Sequence, residues 1–67
     1  MSGLNNHLKE LRKAKGLTQA DLASAAGVSR KTINTIENKV FVPSTVLALT
    51  LAKVLEISVH DIFELEG

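Results

Sequence analysis

The stretch Leu17 to Glu37, LTQADLASAAGVSRKTINTIE, constrains this 67-residue chain more than any other. It carries two short helix patterns, each opened by a hydroxyl side chain able to accept from an amide of the first turn. Thr18 precedes Gln19-Ala20-Asp21, and Ser29 precedes Arg30-Lys31-Thr32. Asp21 adds an anion to the positive first turn of the first pattern. Gly27 stands between the patterns, where a helix stop and a tight turn need a positive φ that glycine takes at little cost. The inward residues of the first pattern are Leu22, Ala23 and Ala26, small enough for a second helix to cross closely. The second keeps only Ile33 and Ile36 for the core, with Val28 in the turn. Such a chain must lock two short helices at a fixed angle and leave one side of the second uncovered.

That uncovered side holds Arg30, Lys31, Thr32, Asn34 and Thr35, with no acid before Glu37. A helix that only faces solvent ordinarily mixes Glu with Lys. This one offers groups that hydrogen-bond base edges and phosphates. Charge along the chain is polarised in the same sense. Residues 1–39 carry seven basic and three acidic side chains, a net of +4, and residues 40–67 carry one basic and four acidic, a net of −3. One end therefore suits a polyanion and the other avoids it. Ordinary solvated side chains would give the same counts, so charge alone leaves both readings open.

The remaining chain reads as further helices. Leu4, Leu8, Leu11 and Ala14 recur at steps of four and three and predict an amphipathic first helix from Asn5 to about Lys15. Either Asn5 or Asn6 caps it, and Lys15-Gly16 ends it. The helix opened by Ser29 runs to about Asn38. Asn38 to Pro43 is a connection, since Pro43 disfavours helix at Val42, and Ser44 caps a strongly apolar helix, Thr45 to Leu55. Its core stripe is Leu47, Ala48, Leu51, Ala52 and Leu55, which leaves Val46, Leu49 and Val54 outside. Ser58 caps a last short helix from Val59 to about Phe63, and the tail Phe63-Glu64-Leu65-Glu66 alternates as a short strand does.

Composition narrows the chemistry. Hydrophobic residues make up 45% of the chain but only Phe41 and Phe63 are aromatic, so the core is built from Leu, Ile, Val and Ala, a palette that favours helices. The absence of Cys excludes disulfides and thiolate sites. His7 and His60 lie at opposite ends without the three or four converging ligands of a metal site, and Ser29, already used as a cap, makes no triad with His60 and Asp61. No enzyme, no cofactor, no metal and no small-molecule ligand is expected. No apolar run approaches the roughly 18 residues of a membrane span, and no signal-peptide layout opens the chain, so a soluble, cytoplasmic protein is expected.

These pieces occur in an order that resembles one family. LKELRKAKGLTQADLA, GVSRKTINTIEN, Pro43-Ser44, LAKVL and ISVHDIF make the chain similar, from about Leu8 to Phe63, to the Cro and phage-repressor type of helix-turn-helix regulator, also called the xenobiotic response element family. The resemblance implies an all-α, five-helix, lambda-repressor-like DNA-binding domain over residues 1–67, with the helix-turn-helix at 18–38 and a short C-terminal strand as an option. By the same resemblance Arg30, Lys31, Thr32 and Thr35 reach bases of double-stranded DNA, whereas Gln19, Ser29, Asn38 and Lys39 meet phosphates. Asn34 faces more to one side. Arg12 and Glu37 occupy the places of a structural ion pair joining the first helix to the end of the recognition helix. The family commonly has Gly after that helix, but this chain has Asn38-Lys39-Val40, so Asn38 is the expected left-handed cap.

Val46, Leu49, Val54 and Leu65 either complete a small core or form a homodimer interface, and their spread favours the dimer. Two recognition helices about 34–36 Å apart read an inverted-repeat operator. The expected function is sequence-specific transcriptional regulation, as a repressor. The alternative is an antitoxin or accessory protein acting mainly through a protein partner. A third, an interaction module without DNA binding, is disfavoured by the acid-free helix.

Overall fold

In the computed structural model, which describes residues 3–66, two short strands and five helices follow in the order β1 (Leu4–Asn6), α1 (Leu8–Ala14), α2 (Gln19–Ala26), α3 (Arg30–Glu37), α4 (Thr45–Leu55), α5 (Val59–Ile62) and β2 (Phe63–Leu65). The hydroxyl residues singled out in the sequence open four of the helices. Thr18, Ser29 and Ser44 accept from the amides of Asp21, Thr32 and Leu47, and Ser58 accepts from that of His60. Asp21 and Asp61 return the bond to the cap amide, which closes a reciprocal pair at α2 and α5.

The expectation of an all-α chain needs correction. Residues Leu4–Asn6 do not begin the first helix but pair antiparallel with Phe63–Leu65, in the register Leu4 with Leu65, Asn5 with Glu64 and Asn6 with Phe63. The alternation of the tail marks one strand, whereas its partner lies within a helical apolar spacing that Leu4 also satisfies. Neither asparagine caps α1 in the expected way. His7 holds the cap position without a side-chain bond, and the Asn6 side chain accepts from the Leu8 amide at 3.2 Å. Ala14 is exposed, whereas Arg12 on the same helix is buried.

Leu8, Leu22, Ile33, Ile36, Leu51 and Ile62 are fully buried, one from α1, α2, α4 and α5 and two from α3. Around them pack Ala23, Ala52, Leu55 and Phe63, with Leu47, Ala48 and Val54 partly buried against the same core. Val54 is therefore occupied within the chain and drops out of the outward apolar set. Val46, Leu49 and Leu65 stay in that set, at 75, 53 and 83% exposure.

Four helices end alike. At α1 to α4 an amide reaches back five residues, from Leu17 to Arg12, Val28 to Ala23, Val40 to Thr35 and Ile57 to Ala52, around a residue in the left-handed conformation. Those residues are Gly16, Gly27, Lys39 and Glu56, with φ of 75°, 74°, 61° and 59°. The left-handed position after α3 is thus Lys39 rather than Asn38, whose φ is −88°. At α1 and α3 the left-handed residue stands one place beyond the cap, and at α2 and α4 it is the cap itself.

Candidate nucleic-acid interface

The position of α3 follows from contacts at its buried face and its C-terminal end. Ile33 and Ile36 sink into the core, and the Asn6 side chain donates through Nδ2 to the Ile36 carbonyl at 3.0 Å. Arg12 then grips Glu37 through both carboxylate oxygens, Nε to Oε2 at 2.6 Å and Nη2 to Oε1 at 3.2 Å, while Nη1 donates to the Leu17 carbonyl at 2.8 Å. The Gln19 amide donates to Glu37 Oε1 at 3.0 Å, so α1, α2 and α3 meet at one carboxylate. Burial pushes the Glu37 carboxyl up, but hydrogen bonds from Arg12 and Gln19 and the charges of Arg12 and Lys9 outweigh it and hold the group below its ordinary range. No side-chain polar atom buried among the described residues lacks a partner.

With its inner face and one end held, α3 presents Arg30, Lys31 and Asn34 as exposed side chains, and Thr32 and Thr35 as half-buried ones. Arg30, Lys31 and Asn34 line one cleft together with Gln19, which brings Asn34 beside the two cations more closely than its sequence position suggested. Lys31 also lines a second cleft, on the other flank, with Ser29, Thr32, Thr35, Val40 and Phe41. The hydroxyls there are ordered: Ser29 Oγ and Thr32 Oγ1 lie 2.9 Å apart, and Thr35 donates to the Thr32 carbonyl at 3.0 Å. Asn38 and Lys39 are exposed just past the helix. The second cleft includes Val40 and Phe41, which belong to the connection expected between Asn38 and Pro43. Two exposed apolar residues beside a cationic helix were the available signal.

The arrangement is thus a helix with a cationic, acid-free exposed face, held beside a second helix and a tight turn. A family profile described as helix-turn-helix matches residues 8–62, most of the chain. The chain belongs to the helix-turn-helix family. Among relatives of this helix-turn-helix chain, the HTH-type transcriptional regulator YgzD of Bacillus subtilis is 40% identical over 63 residues, covering 94% of this chain and 96% of that one. An HTH-type transcriptional regulator of Methanocaldococcus jannaschii is 45% identical over 60 residues, covering 90% and 91%. Both are described as uncharacterised.

Solved structures agree. The restriction-modification controller protein C.AhdI of Aeromonas hydrophila superposes with a TM-score of 0.77 at 39% identity, covering 81% of this chain and 82% of that one. The biofilm master regulator SinR, solved in complex with DNA, superposes with a TM-score of 0.74 at 35% identity, covering 79% and 86%. Family, relatives and scaffold together place this helix-turn-helix chain among DNA-binding regulators of transcription. Among the described residues no helix is long and apolar enough to cross a membrane.

Proposed function

We propose that residues 1–67 act as one DNA-binding unit, a cytoplasmic repressor that binds an inverted-repeat operator in double-stranded DNA as a homodimer. Arg30, Lys31, Thr32 and Thr35 read bases, with Arg30 suited to the paired O6 and N7 acceptors of guanine. Gln19, Ser29, Asn38 and Lys39 meet phosphates; Gln19 has a second amide hydrogen for this purpose beyond the one donated to Glu37. The observation that carries the reading is the exposed, acid-free face of α3 on a helix already held by Glu37, Ile33 and Ile36. A helix held in place before binding loses little freedom on binding. The outward Val46, Leu49 and Leu65 support a second copy.

Selection of bound sequences from random duplex DNA tests the whole reading. A palindromic consensus with half-sites one helical turn apart is the expected result, and recovery of no consensus overturns it. Affinity should also fall linearly with salt on a log–log scale, by about 0.9 per phosphate contact. Sedimentation at micromolar concentration separates the dimer from a monomer.

A further inference from the structure

Of the two phenylalanines, Phe63 is buried and Phe41 is 45% exposed, between Val40 and Val42 at 78 and 64%. Exposure on this scale in a loop would ordinarily mean loose chain, yet this loop is tied down. The amides of Val40 and Phe41 both donate to the Thr35 carbonyl, at 2.9 and 3.2 Å, so the apolar pair is fixed against α3 at the level of Thr35. Val40 and Phe41 form one wall of the open cleft whose other wall is Ser29, Lys31, Thr32 and Thr35. The threonine methyl groups make that second wall partly apolar as well. Among the described residues Lys31 is the charged side chain of the lining, and no acid enters it.

The cleft therefore suits an apolar group carried on an anionic partner and presented at the height of the base-reading side chains. In the major groove the base pairs present donors and acceptors throughout, and the one apolar group among them is the C5 methyl of thymine. We propose that the cleft between α3 and the Val40–Phe41 loop receives a thymine methyl group, and that Phe41 and Val40 are specificity-determining residues. The proposal rests on the DNA-binding reading above. A second copy is the poorer occupant, because covering this cleft would also cover Lys31, Thr32 and Thr35, and because Val46 and Leu49 lie outside its lining.

Once a bound duplex has been selected, each thymine of the half-site is replaced in turn by deoxyuridine, which removes only the methyl group. Binding is then measured at fixed salt. The expected result is one position per half-site at which affinity falls about fourfold, the effect of one buried methylene-sized group at about 0.8 kcal/mol. Phe41→Ala should bind the thymine and uracil duplexes alike at that position. Val40→Ser, at a side chain exposed enough to leave folding intact, should reduce the same difference.

The proposal is overturned by a consensus that contains no thymine, by equal binding of every deoxyuridine duplex, or by Phe41→Ala and Val40→Ser both keeping the full uracil penalty. It is also overturned if Phe41→Ala dissociates the dimer in sedimentation while that penalty persists, which would assign the cleft to a protein interface. In each of these cases the salt-dependent binding of the selected duplex still stands. Absence of any selected duplex overturns the DNA reading and this inference together.

Discussion

Arg12 and Glu37, 25 residues apart in the chain, face each other across the first and third helices as a two-point ion pair with side chains only 8 and 3% exposed. Removing one partner strands the other charge in the interior, which costs about 3–5 kcal/mol. A 67-residue domain has a total stability on the order of 3–10 kcal/mol by its length. Glu37→Ala should therefore take away much of the fold, and with it DNA binding. Denaturant titration checks this: a midpoint equal to the parent's would show the pair to be dispensable.

The same carboxyl predicts an acid limit. Glu37 binds a proton less readily in the folded chain than its ordinary value of 4.5 allows in the unfolded one. Its contribution is fully present above about pH 4.5 and is lost as pH falls through the lower folded value. Glu56, held down by Lys15, is lowered from the same ordinary value of 4.5 and adds to the loss in that window, whereas Asp21, held down by the backbone and side-chain bonds of Thr18, is lowered from 3.8 and adds its loss only below about pH 3.8. Melting temperature measured from pH 7 to 3 should fall below about 4.5. Glu37→Gln should flatten part of that fall while Asp21 and Glu56 keep the rest.

Lys39 sits at φ 61°, a conformation in which a side chain costs about 1–2 kcal/mol in local sterics. Lys39→Gly should relieve that strain against the extra freedom glycine gains in the unfolded chain, for a net stabilisation of up to about 1 kcal/mol. The reverse change at Gly27, with φ 74° and nothing within 4 Å of an added Cβ, isolates strain from crowding. Gly27→Ala should cost about 1–2 kcal/mol. Thermal melting of both variants checks the pair of signs. If Lys39 also meets a phosphate, Lys39→Gly reduces the salt slope of DNA binding by about 0.9.

Arg30 is exposed, and among the described residues its side chain makes no hydrogen bond or ion pair. Arg30→Ala should leave the melting temperature within about 1 kcal/mol of the parent and weaken binding of the selected duplex by about 1–3 kcal/mol, with tolerance relaxed at one base pair of each half-site. A uniform loss across all duplexes would make Arg30 a phosphate contact instead.

Much of this molecule follows from local rules that act within a turn or two. Thr18, Ser29, Ser44 and Ser58 each stand at a helix start, and Gly16 and Gly27 at helix ends, because caps and left-handed stops need particular side chains at particular places. The apolar spacing of Leu22, Ile33, Ile36, Leu51, Leu55 and Ile62 marks the core for the same reason. The exposed polar face of α3 is the complement of that spacing. The left-handed conformations of Lys39 and Glu56 are not legible in the sequence, because the stop after a helix is a backbone geometry that glycine marks and lysine and glutamate do not.

Contacts between distant segments required the folded chain. Leu4 fits a helical stripe as well as it fits the strand it joins, and only the arrival of Phe63–Leu65 alongside decides between them. Val54 and Leu49 are both apolar residues outside the main stripe of α4, yet one packs on the core and the other faces outward, since neighbouring elements close over one side only. The Thr35 carbonyl gathers the Val40 and Phe41 amides and turns a connection into a wall of the binding face. Local periodicity settles which residues prefer to be helical and which face is apolar; long-range packing alone determines which of two equally apolar side chains is buried, because burial depends on what lies opposite.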